Sequence, residues 1–285
     1  MAGSETLKRV AVAAVGIPLA IGAVYAGGWV LAALLALCAA LTAHELFRMA
    51  ARKAARPLAW LGAAGAAAVV LAQGMDPAAG LSNPYPAWAL LLVTLAAATA
   101  AIWTHGVEGE PLLSVAVTAF GAGYASLLGF GLLLRHLPGS GGAMEATALV
   151  LAPVALTWIS DSGAYFGGRM WGKRKLIPRV SPGKTVAGAL SAVVGTTLAG
   201  AGYAALAAPL LPAYRPTLLE GALLGLLVSV LAQVGDLAES LWKRDVGVKD
   251  SGTLLPGHGG ALDRFDSLLF TLPLGYAFFR LVVRA

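Results

Sequence analysis

Long apolar stretches separated by short polar segments dominate this sequence. Each stretch runs for about 18 residues, which is close to the length that a helix needs to cross the hydrocarbon core of a bilayer. None shows the strict alternation of a membrane β-barrel, so each backbone must satisfy its hydrogen bonds within a helix. We predict an all-α, polytopic membrane bundle of about nine spans, at approximately residues 9–26, 28–46, 58–74, 86–103, 112–134, 146–168, 186–209, 218–241 and 266–283.

The first two predicted spans lie almost back to back around Gly27 and Gly28. We therefore expect a tight helical hairpin there. Alanine and glycine are abundant in the other spans as well, and small side chains let membrane helices approach one another closely. The pattern favours a compact bundle.

The basic residues predict an orientation. With the N-terminus in the cytoplasm, sixteen of the twenty Lys and Arg residues lie in cytoplasmic segments. Such an asymmetry is the positive-inside signal. We expect an integral protein of the cytoplasmic (inner) membrane, with its active site facing the cytosol.

Composition excludes several classes of function. The chain is 58% hydrophobic and 12% charged, roughly half the charged fraction of a soluble domain. The net charge of +6 comes from loops between apolar runs, so nucleic acid is not a predicted partner, whereas membrane lipids are. Cys38 is the only cysteine, which excludes an intramolecular disulfide and a cysteine-based zinc site.

The positions of the charged loops suggest that the chain divides into two regions near residue 145. Residues 1–145 are predicted to form N-terminal transmembrane helices that act as scaffold and lipid cavity. Residues 146–285 are predicted to form the catalytic region, with the cytoplasmic loops 169–185 and 242–265.

The second of these loops and its borders carry a dense mixture of charges in an otherwise apolar chain. Charges beside a bilayer are costly, so such a cluster is a candidate functional site. Carboxylates, cations and a glycine-rich turn together suit a metal ion and phosphates. The candidates are Lys243, Arg244, Lys249, Asp250, His258, Asp263, Arg264 and Asp266.

The end of the eighth predicted span has a polar face. Asp236, Glu239, Ser240 and Lys243 are spaced three or four residues apart, which places them on one side of a helix. One interpretation is an interfacial helix end whose long side chains reach water. The other is the wall of an active site.

Asp263 and Asp266 open the last predicted span, where they could face the same side of its first turn. Acidic residues at that place also suit the helix dipole. With Asp236 they could instead converge on Mg²⁺, which prefers a few carboxylates completed by water and substrate phosphates. His258 could serve a phosphate or a proton transfer, or could stabilise its turn.

A second set of polar residues flanks the loop at 169–185. Asp161 and Tyr165 end the sixth predicted span, and Ser181, Lys184 and Thr185 precede the seventh. Ser, Lys and Thr at the head of a helix can bind phosphate. The spacing of a P-loop is absent, and no strand is predicted before it, so we exclude that motif.

Together these blocks resemble the phosphatidate cytidylyltransferase (CDP-diacylglycerol synthase) family. The family signature has the form Ser-x-x-Lys-Arg, four residues, Lys-Asp, then His-Gly-Gly and Asp-Arg-x-Asp. This chain matches it with Ser240, Lys243-Arg244, Lys249-Asp250, His258-Gly259-Gly260 and Asp263-Arg264-Phe265-Asp266. Asp161-x-x-Ala-Tyr165 and the Ser-Pro-x-Lys-Thr block at 181–188 also match, although the family often has a second basic residue where this chain has Gly183.

The resemblance implies an enzyme that makes CDP-diacylglycerol and pyrophosphate from CTP and phosphatidic acid. It implies Mg²⁺, with K⁺ as a candidate second ion, and a homodimer. Asp236, Asp263 and Asp266 would be the metal ligands, and the basic residues would hold phosphates. The residues expected to bind substrate are Asp161, Tyr165, Ser181, Lys184, Thr185, Glu239 and Ser240.

Two other functions fit some of these features. A CTP-dependent lipid kinase would transfer the γ-phosphoryl group and release CDP, but the long signature argues against it. A transporter could use Asp161 and Asp236 for ion coupling. Transporters often show internal repeats and midplane sites, whereas this chain shows no repeat and its charged motifs cluster at one predicted face.

Overall fold

The chain is described by a computed structural model that covers residues 2–53, 55–252 and 259–283, with side chains from residue 14 onward. Helices account for most of it. The elements are α1 (Ala2–Ala26), α2 (Gly28–Ala50), α3 (Ala59–Gln73), α4 (Tyr85–Thr104), α5 (Pro111–Ala125), α6 (Phe130–Arg135), α7 (Ala143–Trp171), β1 (Lys175–Ile177), β2 (Ser181–Thr185), α8 (Val186–Ala207), α9 (Leu218–Asp245), α10 (Leu262–Phe265) and α11 (Leu268–Leu281).

The helical membrane architecture is confirmed. In the described part of the chain, six helical segments are long and apolar enough to cross a bilayer, and α3 and residues 14–26 of α1 are shorter apolar helices. The six segments are Gly28–Ala50, Tyr85–Thr104, Pro111–Arg135, Ala143–Trp171, Val186–Leu210 and Leu218–Asp245. The total of nine spans stays a prediction.

The helical hairpin predicted at Gly27 and Gly28 is present. Both residues have positive φ angles, 64° and 50°, a conformation that glycine adopts readily because it lacks a Cβ atom. The chain thus leaves α1 at Ala26 and enters α2 at Gly28.

Two compact units make up the chain. The first consists of residues 1–133 and 245–265, and the second of residues 134–244 and 266–285. The first is built around α2, α3, α4 and α5, which pack against one another. Its core includes the fully buried Phe47, whose ring fills the space beside Gly62 and Gly121.

The second unit is organised by α7, which packs against α8 and α11. Leu149, Leu156 and Phe279 are buried in its core. Two buried hydroxyl pairs join its helices: Ser160 and Ser229 are 2.9 Å apart, and Thr157 donates to Thr271 at 3.0 Å. Hydroxyls satisfy one another in this way where no water is available.

Two local features differ from the expectation. The loop at 169–185 contains an antiparallel hairpin, in which Lys175 pairs with Thr185 and Ile177 with Ser181. The last predicted span does not begin as one continuous helix at residue 266, because α10 ends at Phe265 and α11 starts at Leu268. Asp263 and Asp266 therefore do not share a first helical turn, and they belong to different units.

Candidate active site

A cavity of about 680 Å³ opens in the second unit. The helices α7, α8 and α9 and the β-hairpin all contribute to its wall. It gathers polar residues from three separate sequence blocks that contain predicted site residues, together with small residues that leave it room. The side chains that matter for its chemistry are those of Asp161, Tyr165, Arg169, Lys184, Thr185, Gln233 and Asp236.

An ion pair crosses this cavity wall. The Lys184 Nζ atom lies 2.6 Å from Asp236 Oδ2, and the Ser240 hydroxyl donates to Asp236 Oδ1 at 3.2 Å. Both charged side chains stay partly exposed, at 25% and 36%. The Lys184 Nζ atom itself is buried, so the exposed part of that side chain is its stem.

The hairpin and the start of α8 position Lys184. Thr185 caps α8 by accepting a hydrogen bond from the Gly188 amide at 3.1 Å, as the first residue before a helix commonly does. The Val186 amide donates to Arg174 O at 2.9 Å, which closes the hairpin against the helix. Thr185 thus has a structural role as well as a place in the cavity wall. The predicted substrate-binding residue Ser181 is the first residue of β2.

The last three turns of α7 line the cavity with Asp161, Tyr165 and Arg169. Residues at this spacing lie on one face of a helix. Asp161 interacts electrostatically with both Asp236 and Lys184, and Arg169 donates to the Tyr165 hydroxyl at 3.2 Å. The two motif blocks around Asp161 and Asp236, 75 residues apart in sequence, therefore meet.

Asp266 belongs to the same electrostatic cluster. It lies between α10 and α11, outside the six long apolar segments. Burial, and after it the negative charge of Asp236, raise the pKa of Asp266 to about 7, and Asp161 adds to this effect. Carboxylates that repel one another in this way form a site that a cation would stabilise.

Glu239 and Lys243 form a second ion pair on α9, with Lys243 Nζ 2.6 Å from Glu239 Oε2. The Glu239 side chain is only 1% exposed, so the pair anchors Lys243 at this helix end. Arg244 donates through Nε to Val180 O at 3.3 Å. The predicted polar face of α9 is present, and part of it serves packing.

In the first unit, Asp263 stabilises the charged segment after α9. Its Oδ2 atom accepts hydrogen bonds from the Ser251 amide at 3.0 Å and the Gly260 amide at 2.8 Å. The Ser251 hydroxyl also lies within hydrogen-bond distance of this oxygen, at 3.0 Å. Lys249, Asp250 and Arg264 are exposed, and His258 lies outside the described residues.

The prediction that Asp236, Asp263 and Asp266 bind one metal ion together stays a prediction, because Asp263 belongs to the first unit and the other two residues belong to the second. No group of three His, Cys, Asp or Glu side chains is arranged to hold a metal ion within residues 2–53, 55–252 and 259–283. The donor chemistry still suits Mg²⁺ in the second unit, because this ion commonly uses one or two carboxylates and takes its remaining ligands from water and substrate phosphates.

Two cavity residues were not predicted from the sequence. Arg169 was assigned only to the cytoplasmic charge of its loop, although its spacing of eight residues from Asp161 would have placed both on one helical face. Gln233 donates to Ser229 O at 3.2 Å and to Ser229 Oγ at 3.3 Å. The sequence signal available for Gln233 is a side-chain amide one turn before Asp236 in an otherwise apolar helix.

Comparison with known proteins accounts for this combination of motifs. Residues 7–282 match the sequence model described as the cytidylyltransferase family. The chain belongs to this family. The cytidylyltransferase match spans both units, so the family includes the apolar N-terminal helices as well as the motif-rich region.

Three cytidylyltransferase relatives illustrate the range of similarity. The phosphatidate cytidylyltransferase of Synechocystis sp. is 36% identical over 292 residues, covering 95% of each chain. That of Bacillus subtilis is 51% identical over 119 residues, which is 42% of each chain. The uncharacterized protein YnbB of Escherichia coli is 42% identical over 164 residues, covering 58% of this chain but only 51% of YnbB.

Proposed function

We propose that this chain is a phosphatidate cytidylyltransferase, which transfers CMP from CTP to phosphatidic acid and yields CDP-diacylglycerol and pyrophosphate in phospholipid biosynthesis. The observation that carries the proposal is the cavity of the second unit. It joins the Asp161, Lys184 and Asp236 blocks in one wall, and the same blocks identify the family. A relative that matches 95% of the chain has this name.

The reaction is an in-line displacement at phosphorus. A phosphate oxygen of phosphatidic acid attacks the α-phosphorus of CTP, the new P–O bond forms, and the bond to the β-phosphate breaks to release pyrophosphate. Because two anions must meet, positioning and neutralisation of charge should dominate catalysis. Lys184 and Arg169 supply positive charge inside the cavity, and Lys243 and Arg244 supply it at the adjoining end of α9.

We assign Mg²⁺ binding to Asp236 and Asp266, with Asp161 as a neighbouring carboxylate and K⁺ as a candidate second ion. The ion would neutralise the CTP phosphates and the departing pyrophosphate. Without it, Lys184 balances the charge of Asp236. The sequence prediction that Asp263 also binds the metal stays a prediction, since its Oδ2 atom already accepts hydrogen bonds from the Ser251 and Gly260 amides.

We further propose nine membrane spans with a cytoplasmic N-terminus, in the cytoplasmic membrane. CTP would then enter from the cytosol, while the acyl chains of phosphatidic acid stay in the lipid. The positive-inside distribution of sixteen of twenty basic residues supports this orientation. A homodimer is proposed from the family resemblance alone.

An assay in nanodiscs tests the function. The full chain is supplied with phosphatidic acid, CTP labelled at its α-phosphate, and Mg²⁺, and both labelled lipid and pyrophosphate are measured. We expect CDP-lipid and pyrophosphate in equal amounts, and loss of both with EDTA. Release of CDP, with phosphorylation of a lipid alcohol supplied instead, would identify a kinase. Absence of any CTP chemistry would favour the transporter.

A further inference from the structure

Glu45 is a buried carboxylate in an apolar helix of the first unit, and the proposed reaction assigns it no role. It lies on α2 and is 4% exposed. Its Oε2 atom accepts hydrogen bonds from the Ser251 hydroxyl at 2.8 Å and from the Leu262 amide at 2.9 Å. Both donors lie more than 200 residues further along the chain, within the family signature from Ser240 to Asp266, which we call the signature segment.

Ser251 links Glu45 to Asp263. Its hydroxyl lies within hydrogen-bond distance of both carboxylates, at 2.8 Å from Glu45 Oε2 and 3.0 Å from Asp263 Oδ2. The Ser251 amide also donates to Asp263. We call Glu45, Ser251 and Asp263 the carboxylate brace. It joins α2, the segment that follows α9, and α10.

The backbone of the signature segment passes directly against the Glu45 carboxylate. A Cβ atom added to Gly260 would collide with Glu45 Oε2 and with the Ser251 hydroxyl, and one added to Gly252 would collide with Glu45 Oε1. Glycine at these two positions therefore lets the chain approach the carboxylate closely. The second glycine of the His-Gly-Gly motif is thereby explained by packing against α2.

Stability alone is a poor reason for this arrangement. Removing a carboxylate from water is costly, and an apolar side chain of similar size often packs at least as well. A buried charge with directed hydrogen bonds instead fixes one geometry, because any other leaves it without partners. The brace thus specifies where the chain runs at Ser251 and at Leu262, on either side of residues 253–258.

We infer that Glu45 is a positioning residue for the reaction, which acts through the brace on the signature segment that carries Asp250, Asp263 and Arg264. The inference rests on the proposed function, since it takes that segment to serve CTP or phosphatidic acid. Glu45 is assigned no contact with either substrate. It sets the backbone from which the signature side chains act.

The test compares Glu45→Gln with Glu145→Gln in the full chain in nanodiscs. Glu145 is a matched control, because it is 3% exposed and accepts hydrogen bonds from the Ala213 and Tyr214 amides at 2.9 and 3.0 Å, away from the signature. We expect Glu45→Gln to lower kcat about tenfold or more while the KM values for CTP and phosphatidic acid change less than about threefold. Glu145→Gln should lower the melting temperature and leave kcat near that of the unmodified chain. A Glu45→Gln kcat within twofold of the unmodified chain, or an equal kcat loss in both variants, would overturn the inference.

Ser251→Ala provides a second test that does not depend on one variant folding well. Because Glu45 and Ser251 act in one hydrogen-bonded unit, the double variant should lose little more kcat than the more impaired single variant. Losses that multiply would refute the brace as a unit.

Hydrogen exchange separates this inference from the proposed function. In Glu45→Gln, peptides that contain the Ser251, Gly260 and Leu262 amides should exchange faster, whereas in Glu145→Gln they should not. If the unmodified chain makes no CDP-lipid, the proposed function fails, and unchanged exchange in Glu45→Gln would independently refute the positioning role.

Discussion

Asp266 illustrates how a carboxylate that is proposed to bind a metal ion can oppose folding. Its pKa is raised from an ordinary 3.8 to about 7, first by burial and then by the charge of Asp236. A carboxyl whose folded pKa is higher binds its proton more tightly in the folded state, so its ionisation lowers stability as pH rises between these two values. Without a metal, this group should cost stability at pH 8 and little at pH 4.

Asp266→Asn should therefore abolish turnover and leave the metal-free protein at least as stable. We expect turnover to fall by about a hundredfold or more, because a ligand charge is lost. In EDTA at pH 8, the melting temperature should equal or exceed that of the unmodified chain. Asp245→Asn is the control, since Asp245 is exposed and forms a surface ion pair with Lys53. Near-normal turnover of Asp266→Asn would contradict the metal assignment.

Gly183 leaves space in the cavity wall where the family often has a basic residue. It lines the cavity, and nothing lies within 4 Å of an added Cβ atom. Gly183→Lys should therefore fit and should lower the KM for CTP by about threefold or more, through added attraction to phosphate.

Gly183→Ala controls for the change in backbone freedom and should leave the KM unchanged. Steady-state kinetics at fixed phosphatidic acid measure both variants. An unchanged KM in Gly183→Lys would mean that the CTP phosphates do not approach this part of the cavity.

The helices α8 and α9 show why small residues matter at the scale of elements. A Cβ atom on Gly200 would collide with Gly221 O, and one on Gly225 with Thr196 O. Backbones this close leave no room for a methyl group, which is the usual basis of tight packing between membrane helices.

Gly200→Ala should destabilise the protein, whereas Gly195→Ala and Gly202→Ala, on the same helix, should not. Nothing lies within 4 Å of a Cβ atom at either control position, and alanine favours a helix over glycine by about 1 kcal/mol. We expect a clear fall in the detergent melting temperature for Gly200→Ala only. Equal melting temperatures for all three variants would contradict the close contact.

The sequence predicted those elements that depend on local pattern. The predicted spans at 146–168 and 218–241 correspond to Ala143–Trp171 and Leu218–Asp245, because an apolar run of that length leaves few alternatives to a helix. The β-hairpin was missed because its strands have three and five residues, too few for a periodic signal. Glu45 was missed because nothing in α2 reveals a partner 206 residues away.

The sequence motifs predicted polar residues that line the cavity, but they did not predict which unit each motif residue belongs to. The family resemblance made Asp236 a predicted metal ligand and Asp161 and Lys184 predicted substrate-binding residues, and all three line one cavity. Asp263 and Asp266 were predicted to share a helical turn, yet they lie in different units. A break of two residues between α10 and α11 has no signature in hydrophobic periodicity.

At the scale of the whole molecule, the length of α9 separates the cavity from the loop that precedes this helix. Asp236 lies 18 residues after Leu218 on this helix, which corresponds to about 27 Å. Arg215 is exposed three residues before the helix begins. In the proposed topology it lies on the side of the membrane opposite the cytoplasm.

Arg215→Cys should leave turnover within about twofold and should react with a membrane-impermeant thiol reagent from outside intact cells. Lys173→Cys is the comparison and should react only after the membrane is opened. Both are made with Cys38 replaced by serine, so that a single thiol remains. Labelling of Lys173→Cys in intact cells would mean that the membrane orientation is opposite to the one proposed. A strong loss of turnover in Arg215→Cys would contradict the placement of the cavity on the cytoplasmic side.

The interleaving of the two units imposes an order on biosynthesis. The ribosome makes residues 134–244 of the second unit before it makes residues 245–265, which complete the first. At a synthesis rate of about 5–20 residues per second, Glu45 waits roughly 10–40 s for Ser251 and Leu262. During that interval its carboxylate lacks the hydrogen bonds that Ser251 and Leu262 donate in the folded protein, so the first unit can reach its final packing only near the end of translation.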